Sequence, residues 1–202
     1  GTERQSILLA NAFAAAEHPT TLLTFRPGGT LAGSVAPAVH STTLQRMDLG
    51  LDWWAPGLVA AVRAVAPDVI LCMGRMANCH AWRLVRLAPT VATMRTGKSL
   101  PWLFRRSLQT AAHVVANSHD ARATLIRQHA VSLDKISVIY NSLVFAAKAA
   151  ISAPERDKLR RQHAARPSTK VLLCVAMFRP EKNQRELIEI TAGLPESLDW
   201  QL

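Results

Sequence analysis

The chain has 202 residues, 49% of them hydrophobic, so it can build the core of one or two domains and is not an extended disordered segment. Its formal net charge of +10 predicts an anionic partner such as phosphates, nucleic acid or an anionic membrane surface. No apolar run approaches the roughly 20 residues that a membrane-spanning helix needs. The cysteines, Cys72, Cys79 and Cys174, fit no CxxC or zinc spacing, so we expect buried, reduced thiols in a cytosolic protein.

The first predicted element is a helix over residues 2–17, where apolar side chains recur at helical spacing. A short strand follows at residues 21–25, and residues 39–44 form a weaker strand candidate. No strand precedes the first helix, and residues 198–202 resemble a strand that stops before any turn. We therefore expect this chain to be a fragment of a longer protein.

From residue 53 onward, helical and strand patterns alternate. Helices are predicted at residues 53–66, 79–87, 101–112 and 120–128. Strands are predicted at residues 68–73, 90–94, 113–116 and 136–140. This alternation predicts an α/β fold with a Rossmann-like parallel sheet and helices on both faces.

The composition changes after residue 142, where an alanine-, lysine- and serine-rich stretch leads into a charged helix at residues 155–164. A fresh strand is then predicted at residues 171–177. We place a domain boundary near residues 144–150. The prediction is a first domain at residues 1–145, which lacks its first strand, and a linker with the start of a second Rossmann-like domain at residues 146–202.

Ligands of open parallel sheets bind at the carboxyl ends of the strands, so polar residues at those ends are candidate site residues. In the first domain they are Gly74, Arg75, Arg95, Lys98, Asn117, Ser118, Asn141 and Ser142. The segment from Arg95 to Ser99 ends like a P-loop, but Ala92 stands where that loop needs a glycine, which favours a basic loop for a substrate or membrane phosphate. Ser118, His119 and Asp120 are adjacent and cannot converge as a hydrolytic triad, so Asn117 or Ser118 is expected to cap a helix.

Lys182 follows the predicted strand 171–177 and lies at the start of another predicted helix. A lysine is unfavourable there because the helix N-terminus is itself positive, and a bound anion would offset that cost. Alternatively, Lys182 is solvated and pairs with Glu181 or Glu186. The sequence leaves both possibilities open.

Four segments, in order along the chain, resemble motifs of one protein family. Residues 1–4 (GTER) are similar to its Gly-Gly-x-Glu-Arg loop, and residues 114–118 (VVANS) to a strand that ends in serine before a helix. Residues 135–142 (KISVIYNS) resemble K-I-x-V-I-P-N-G, and residues 175–183 (VAMFRPEKN) resemble V-G-R-L-x-P-E-K-G/N. The chain therefore resembles the GT-B retaining glycosyltransferases of the "glycosyl transferases group 1" family.

The resemblance implies an acceptor-side first domain that faces a second domain for the nucleotide-sugar donor. Lys182 matches a lysine that holds the donor diphosphate, while the position of the matching arginine falls on Met177 and Arg179 lies two residues later. Gly1 and Thr2 correspond to the loop that approaches the phosphates.

On the acceptor side of the interdomain cleft, the resemblance implies a set of polar residues at the strand ends. They are Arg95, Lys98, Asn117, Ser118, Asn141 and Ser142. The family's N-domain histidine has no counterpart after residues 90–94, where Arg95 stands instead. No catalytic residue is assigned, because the family's carboxylate pair lies downstream of residue 202.

The expected function is transfer of a sugar, with retention, from a UDP- or GDP-sugar to a lipid-linked or cell-envelope polysaccharide acceptor. Cations and helix N-termini would stabilise the leaving diphosphate without a metal or other cofactor, at the cytoplasmic face of a membrane. The fragment alone is expected to be inactive. The alternatives are a basic nucleic-acid-binding protein, disfavoured by only 5% aromatic residues, and a GT-B nucleotide-sugar epimerase.

Overall fold

The computed structural model describes residues 1–95, 99–142 and 151–202. They belong to two compact units, Gly1–Leu143 and Val144–Leu202. The predicted boundary at residues 144–150 and the candidate residue Lys98 lie outside the described residues. Among the described helices, none has both the length and the apolar character needed to cross a membrane.

The first unit contains six strands in two parallel sheets among its described residues. Its strands, in chain order, are β1 Thr21–Thr24, β2 His40–Thr43, β3 Ile70–Cys72, β4 Thr90–Met94, β5 His113–Ala116 and β6 Ile136–Val138. Strands β3 to β6 pair in sequence order, all parallel, while β1 and β2 form a separate parallel pair. Met94 lies opposite Ala116, and Ala116 opposite Val138, so β4, β5 and β6 end at one edge.

Five described helices accompany these strands: the first precedes β1, and the other four connect successive strands from β2 to β6. They are α1 Thr2–Ala15, α2 Leu58–Val65, α3 Arg75–His80, α4 Trp102–Thr110 and α5 His119–His129. Parallel neighbours need such crossovers because a tight hairpin can only join antiparallel strands. The α/β fold class predicted from the alternating pattern is therefore confirmed.

The main core lies under β4 and β5. Ala92, Val114 and Ala116 are fully buried and pack with Phe104 and with Leu108 of α4. The small alanines leave room for those larger side chains at the sheet surface, as close packing of the interior requires. A second cluster joins Cys72 to Leu58 and Val62 of α2.

Two helix starts differ from the prediction by four or five residues, and a glycine with positive φ accounts for each. The helix expected from residue 53 begins only at Leu58, because Gly57 before it has φ +66° and leaves the preceding residues outside the helix. The helix expected from residue 79 begins at Arg75, directly after Gly74 with φ +85°, and gives way to a 3₁₀ turn at Ala81–Arg83.

The second unit contains α6 Ala153–Gln162, α7 Gln184–Ala192 and a parallel pair of short strands, β7 Lys170–Val171 and β8 Trp200–Gln201. Ser152 and Glu155 form a reciprocal capping box that starts α6 where the charged helix was predicted. The strand predicted at residues 171–177 is wrong beyond Val171. β8 pairs with β7 at only two positions, and the last bond of the ladder runs from the Leu172 N–H to the Gln201 carbonyl at 2.8 Å. Residues 173–177 are exposed.

The expectation of buried thiols holds for two of the three cysteines. Burial raises the pKa of the Cys72 thiol to about 12 and also raises that of Cys79. Cys174 is exposed, because it lies in the segment after β7 that the sequence pattern had placed inside a strand.

Candidate functional site

The carboxyl edge of the β3–β6 sheet collects several of the predicted site residues. The Asn117 N–H donates to the Met94 carbonyl at 3.1 Å, and the Ile139 N–H donates to the Ala116 carbonyl at 2.9 Å. These bonds continue the ladder just past the strand ends. They place Arg95, Asn117 and the segment from residue 139 to 142 side by side.

Arg95 is the half-buried cation of this edge. Its guanidinium donates a hydrogen bond to the Asn141 side-chain oxygen, so these two predicted residues are brought together. Burial lowers the pKa of Arg95, although a guanidinium remains protonated at neutral pH. No acidic side chain of the described residues forms an ion pair with it. Its charge is therefore available to an external anion.

The start of α1 lies at the same edge. The buried side chain of Gln5 bonds the backbone of Ser142 in both directions: the Ser142 N–H donates to Gln5 Oε1 at 3.1 Å, and Gln5 Nε2 donates to the Ser142 carbonyl. This pair of bonds ties the segment after β6 to the first turn of α1. Gly1 and Thr2 are thereby held near Asn141 and Ser142.

Gly74 brings the turn after β3 close to α1. Its backbone has φ +85° and ψ 168°, a region that residues with a side chain rarely enter. A Cβ at this position would lie 3.2 Å from Thr2 Cγ2. The absence of a side chain therefore allows the turn and the helix start to approach each other. Arg75, the next residue, donates to the Ser99 carbonyl at 3.2 Å.

Asn78 holds the ends of β3 and β4 in place. Its amide is fully buried, accepts from the Thr93 N–H at 3.0 Å, and donates to the carbonyls of Cys72 at 3.2 Å and Gly74 at 2.6 Å. Thr93 Oγ1 also donates to the Cys72 carbonyl, at 2.8 Å. Sequence reasoning missed Asn78 and Gln5; the available signal was an amide side chain on a helix face that was otherwise apolar or small.

Ser118 has the capping role that was one of the two expected. It is the N-cap of α5, and its Oγ accepts from the Ala121 N–H at 3.0 Å. The hydroxyl proton can still be donated to a ligand. Asn117, beside it, is half-buried at the sheet edge.

The two remaining candidates, Lys182 and Arg179, belong to the second unit. Lys182 ends a 3₁₀ turn at Pro180–Lys182 and directly precedes Asn183, the N-cap of α7. Glu181 is 3.8 Å from Arg179, and Glu186 accepts from Asn183. Among the described residues, neither carboxylate forms an ion pair with Lys182, and its side chain is exposed.

Groups of histidine, cysteine or carboxylate side chains suited to a metal ion do not occur in the part of the chain that the structure describes. Besides the carboxylates Glu3 and Asp120 in the first turns of α1 and α5, the carboxyl edge of the first unit carries the Arg95 cation and backbone dipoles. Such groups bind anionic or polar ligands.

The family model described as Glycosyltransferase Family 4 matches residues 1–143, more than two thirds of the chain. The chain belongs to this family. The resemblance to GT-B glycosyltransferases that the sequence motifs indicated is confirmed. The match covers the whole carboxyl edge described above, including Arg95, Asn117 and Asn141.

Solved structures share the fold. A glycosyltransferase from Rickettsia africae ESF-5 is 15% identical with a TM-score of 0.65, over 88% of this chain and 49% of that chain. HepE of Anabaena in complex with UDP-glucose is 20% identical with a TM-score of 0.64, over 97% of this chain and 56% of that chain. HepE of Anabaena in complex with UDP is 22% identical with a TM-score of 0.65, over 95% of this chain and 55% of that chain. The chain thus spans about half the length of these structures. A search of the curated proteins finds no match.

Replacing Asn78 by alanine should strongly destabilise the first unit. The substitution leaves a backbone N–H and two carbonyls without their partner, which we expect to lower the free energy of unfolding by about 2–4 kcal/mol. Urea denaturation followed by circular dichroism measures this change. The exposed Gln128→Ala in α5 is the control, and equal stability of the two variants would contradict the role assigned to Asn78.

Gly74→Ala should also destabilise the unit, by about 1–3 kcal/mol, because alanine is strained at this φ and ψ and its Cβ meets Thr2. The double variant Gly74→Ala/Thr2→Ser removes the methyl group but keeps the backbone strain. We expect it to regain only part of the lost stability in the same urea experiment. Full recovery would show that the steric contact alone requires glycine.

Proposed function

We propose that the protein transfers a sugar from a nucleotide-sugar donor to an acceptor bound at the carboxyl edge of the β3–β6 sheet. The observation that carries this proposal is the family match over residues 1–143, the unit that holds Arg95 beside Asn141. HepE, a structural neighbour, has been solved with UDP-glucose, which supports a nucleotide-sugar donor.

The finer assignment follows the motif order in the sequence. We infer a UDP- or GDP-sugar donor, transfer with retention and a lipid-linked or cell-envelope polysaccharide acceptor. The reaction would take place at the cytoplasmic face of a membrane, to which a chain of net charge +10 is electrostatically suited. The proposal requires no metal and no further cofactor.

Cleavage of the sugar–phosphate bond develops negative charge on the leaving diphosphate and positive charge on the sugar carbon. Fixed cations and backbone N–H groups stabilise that negative charge more strongly in the transition state than in the bound donor. We assign this role to Lys182, with Arg179 as a second cation. We also assign it to the α1 start at Gly1 and Thr2, where the first N–H groups have no intrahelical acceptor.

On the acceptor side, Arg95 offers a positive charge and Asn141 an amide at the same place, with Asn117 and Ser118 beside them. Amides and a hydroxyl bind sugar hydroxyls, while a guanidinium binds a phosphate or carboxylate of the acceptor. Lys98 is assigned to this group from the sequence alone.

Lys182→Ala in the full-length protein should weaken donor binding by about 10- to 100-fold, since hydrogen bonds to charged groups contribute about 1.5–3 kcal/mol. Isothermal titration calorimetry with UDP-glucose and with a GDP-sugar measures this and identifies the nucleotide. Lys158→Ala, at an exposed lysine of α6, is the matched control. Donor affinity that is unchanged by Lys182→Ala would remove this lysine from the donor site.

Arg95→Ala should raise the KM for an anionic acceptor by about 10-fold or more and leave donor affinity within about twofold. Arg127→Ala, an exposed arginine of α5, is the control. Steady-state kinetics with the full-length protein separate the two substrates. A lower kcat with unchanged KM would instead place Arg95 in contact with the reacting atoms.

The reaction class has its own test. A labelled sugar that appears on an acceptor supports transfer, whereas conversion of the donor to its epimer would identify the epimerase alternative. An E-x7-E segment downstream of residue 202 is expected for a retaining transferase, and its absence would overturn that assignment.

A further inference from the structure

The loop after β2 exposes an unusual number of large apolar side chains. Met47 is 71% exposed, Leu49 51%, Trp53 62% and Trp54 37%, within eight consecutive residues. Single exposed apolar residues are common, but four in one loop constitute a patch. We call residues 46–54 the apolar loop.

The apolar loop is fixed from within. Gln45, at its base, is only 2% exposed, and its Nε2 donates to the carbonyls of Leu51 at 2.8 Å and Trp54 at 2.7 Å. These two bonds hold the second half of the loop to the buried amide at its base. Its apolar side chains are therefore presented on an ordered backbone, which lowers the entropy cost of binding.

One arginine of the neighbouring turn, Arg26, pairs with both acidic residues of the loop. Arg26 bonds Asp48 with two parallel contacts of 2.7 and 2.8 Å and also bonds Asp52. The bonds to Arg26 lower the pKa of Asp48 to about 2, so it stays ionised and paired at neutral pH. Arg46 is the other charged side chain of the loop, so that the two aspartates are balanced by Arg26 and Arg46 together.

The apolar loop lies beside a group of exposed arginines. His80 Nε2 is 2.9 Å from the Trp53 carbonyl, and Arg83 Nη1 is 3.4 Å from His80 Nδ1. The Arg106 guanidinium lies 4.0 Å above the Trp82 ring. We define the basic strip as the exposed arginines that follow α3 or belong to α4. They are Arg83, Arg86, Arg105 and Arg106.

The sequence around the basic strip contains no opposing charge. Between Asp68 and Asp120 there is no acidic residue, whereas seven basic residues occur there. They are Arg75, Arg83, Arg86, Arg95, Lys98, Arg105 and Arg106. An exposed cationic strip without local acids attracts an anionic surface.

We propose that the apolar loop and the basic strip together form the surface by which this protein binds an anionic phospholipid membrane. Tryptophan, leucine and methionine side chains enter the boundary between headgroups and acyl chains, and the arginines bind lipid phosphates. A nucleic acid would match the arginines but would leave Met47 and Leu49 without a partner, so a bilayer fits the whole surface better. This goes beyond the membrane association included in the proposed function, because it assigns the residues that make the contact, and its test does not require sugar transfer.

Vesicle co-sedimentation of the full-length protein tests whether the arginines of the basic strip contribute to membrane binding. We expect binding to phosphatidylcholine vesicles that contain phosphatidylglycerol and little binding to phosphatidylcholine alone. Arg83→Glu/Arg86→Glu should weaken binding to the anionic vesicles by about tenfold or more. The control Arg122→Glu/Arg127→Glu in α5 changes the net charge equally, so an equal loss in both double variants would overturn the assignment.

A second variant and its control test whether the apolar loop contributes to membrane binding. Leu49→Ser/Trp53→Ser should reduce binding by about tenfold, whereas Leu133→Ser, at a comparably exposed leucine elsewhere in the first unit, should not. In the unsubstituted protein, brominated lipids should quench tryptophan fluorescence, and most of this quenching should vanish in Trp53→Phe/Trp54→Ser.

Other outcomes contradict the proposal. Loss of binding in the arginine variant alone would leave a purely electrostatic contact and overturn insertion of the loop. Binding of single-stranded RNA that displaces the protein from vesicles and needs the same arginines would identify a nucleic-acid surface instead. Active sugar transfer with no vesicle binding would overturn this inference and leave the proposed function intact.

Discussion

The buried amide of Asn78 secures the ends of β3 and β4, on which the carboxyl edge of the first unit depends. Strands β3 and β4 run parallel, so their carboxyl ends meet at one edge, but their last carbonyls and N–H groups need partners that a sheet ladder does not supply. Asn78 supplies them at Cys72, Gly74 and Thr93 with one side chain. Because the amide is fully buried, each of these bonds is expensive to lose, and the Gly74 turn is held where α1 can approach it.

Amide side chains also determine where the positive charge of the carboxyl edge lies. Gln5 anchors the segment after β6, Asn141 orients Arg95, and Arg95 has no acidic partner among the described residues. A cation that is partly desolvated and held by a neutral amide interacts with an incoming anion more strongly than a solvated one, because less water must be displaced. The carboxyl edge thus presents a positive charge that is held in place, without the reorganisation that a flexible lysine would require.

The basic strip shows a different use of positive charge. Its arginines are exposed and would be screened by salt, so individually they contribute little to the stability of the fold. Arg26, in contrast, is engaged by two aspartates and offsets one of the two negative charges of the apolar loop. The basic residues are therefore divided between ion pairs, the carboxyl edge and the exposed basic strip, which composition alone does not distinguish.

The sequence by itself determined the succession of strands and helices in the first unit, because periodicity and β-branched runs are local properties. β4 and β5 were predicted at their observed bounds, and Ser118 was one of two expected caps. The motif order also identified the family. Helix starts at Leu58 and Arg75 were misplaced, since they depend on the backbone of Gly57 and Gly74 rather than on apolar spacing.

Only the tertiary structure decided which residues meet. Gln5 and Ser142 are far apart in the chain, and nothing local to either predicts their hydrogen bonds. Asn78 could not be told from a surface asparagine until its burial was known. The segment after Val171 has the composition of a strand, yet a strand exists only where a neighbour completes its ladder, and β8 pairs with two residues. Composition and periodicity act within a few residues, whereas pairing, burial and charge neutralisation join residues that only folding brings together.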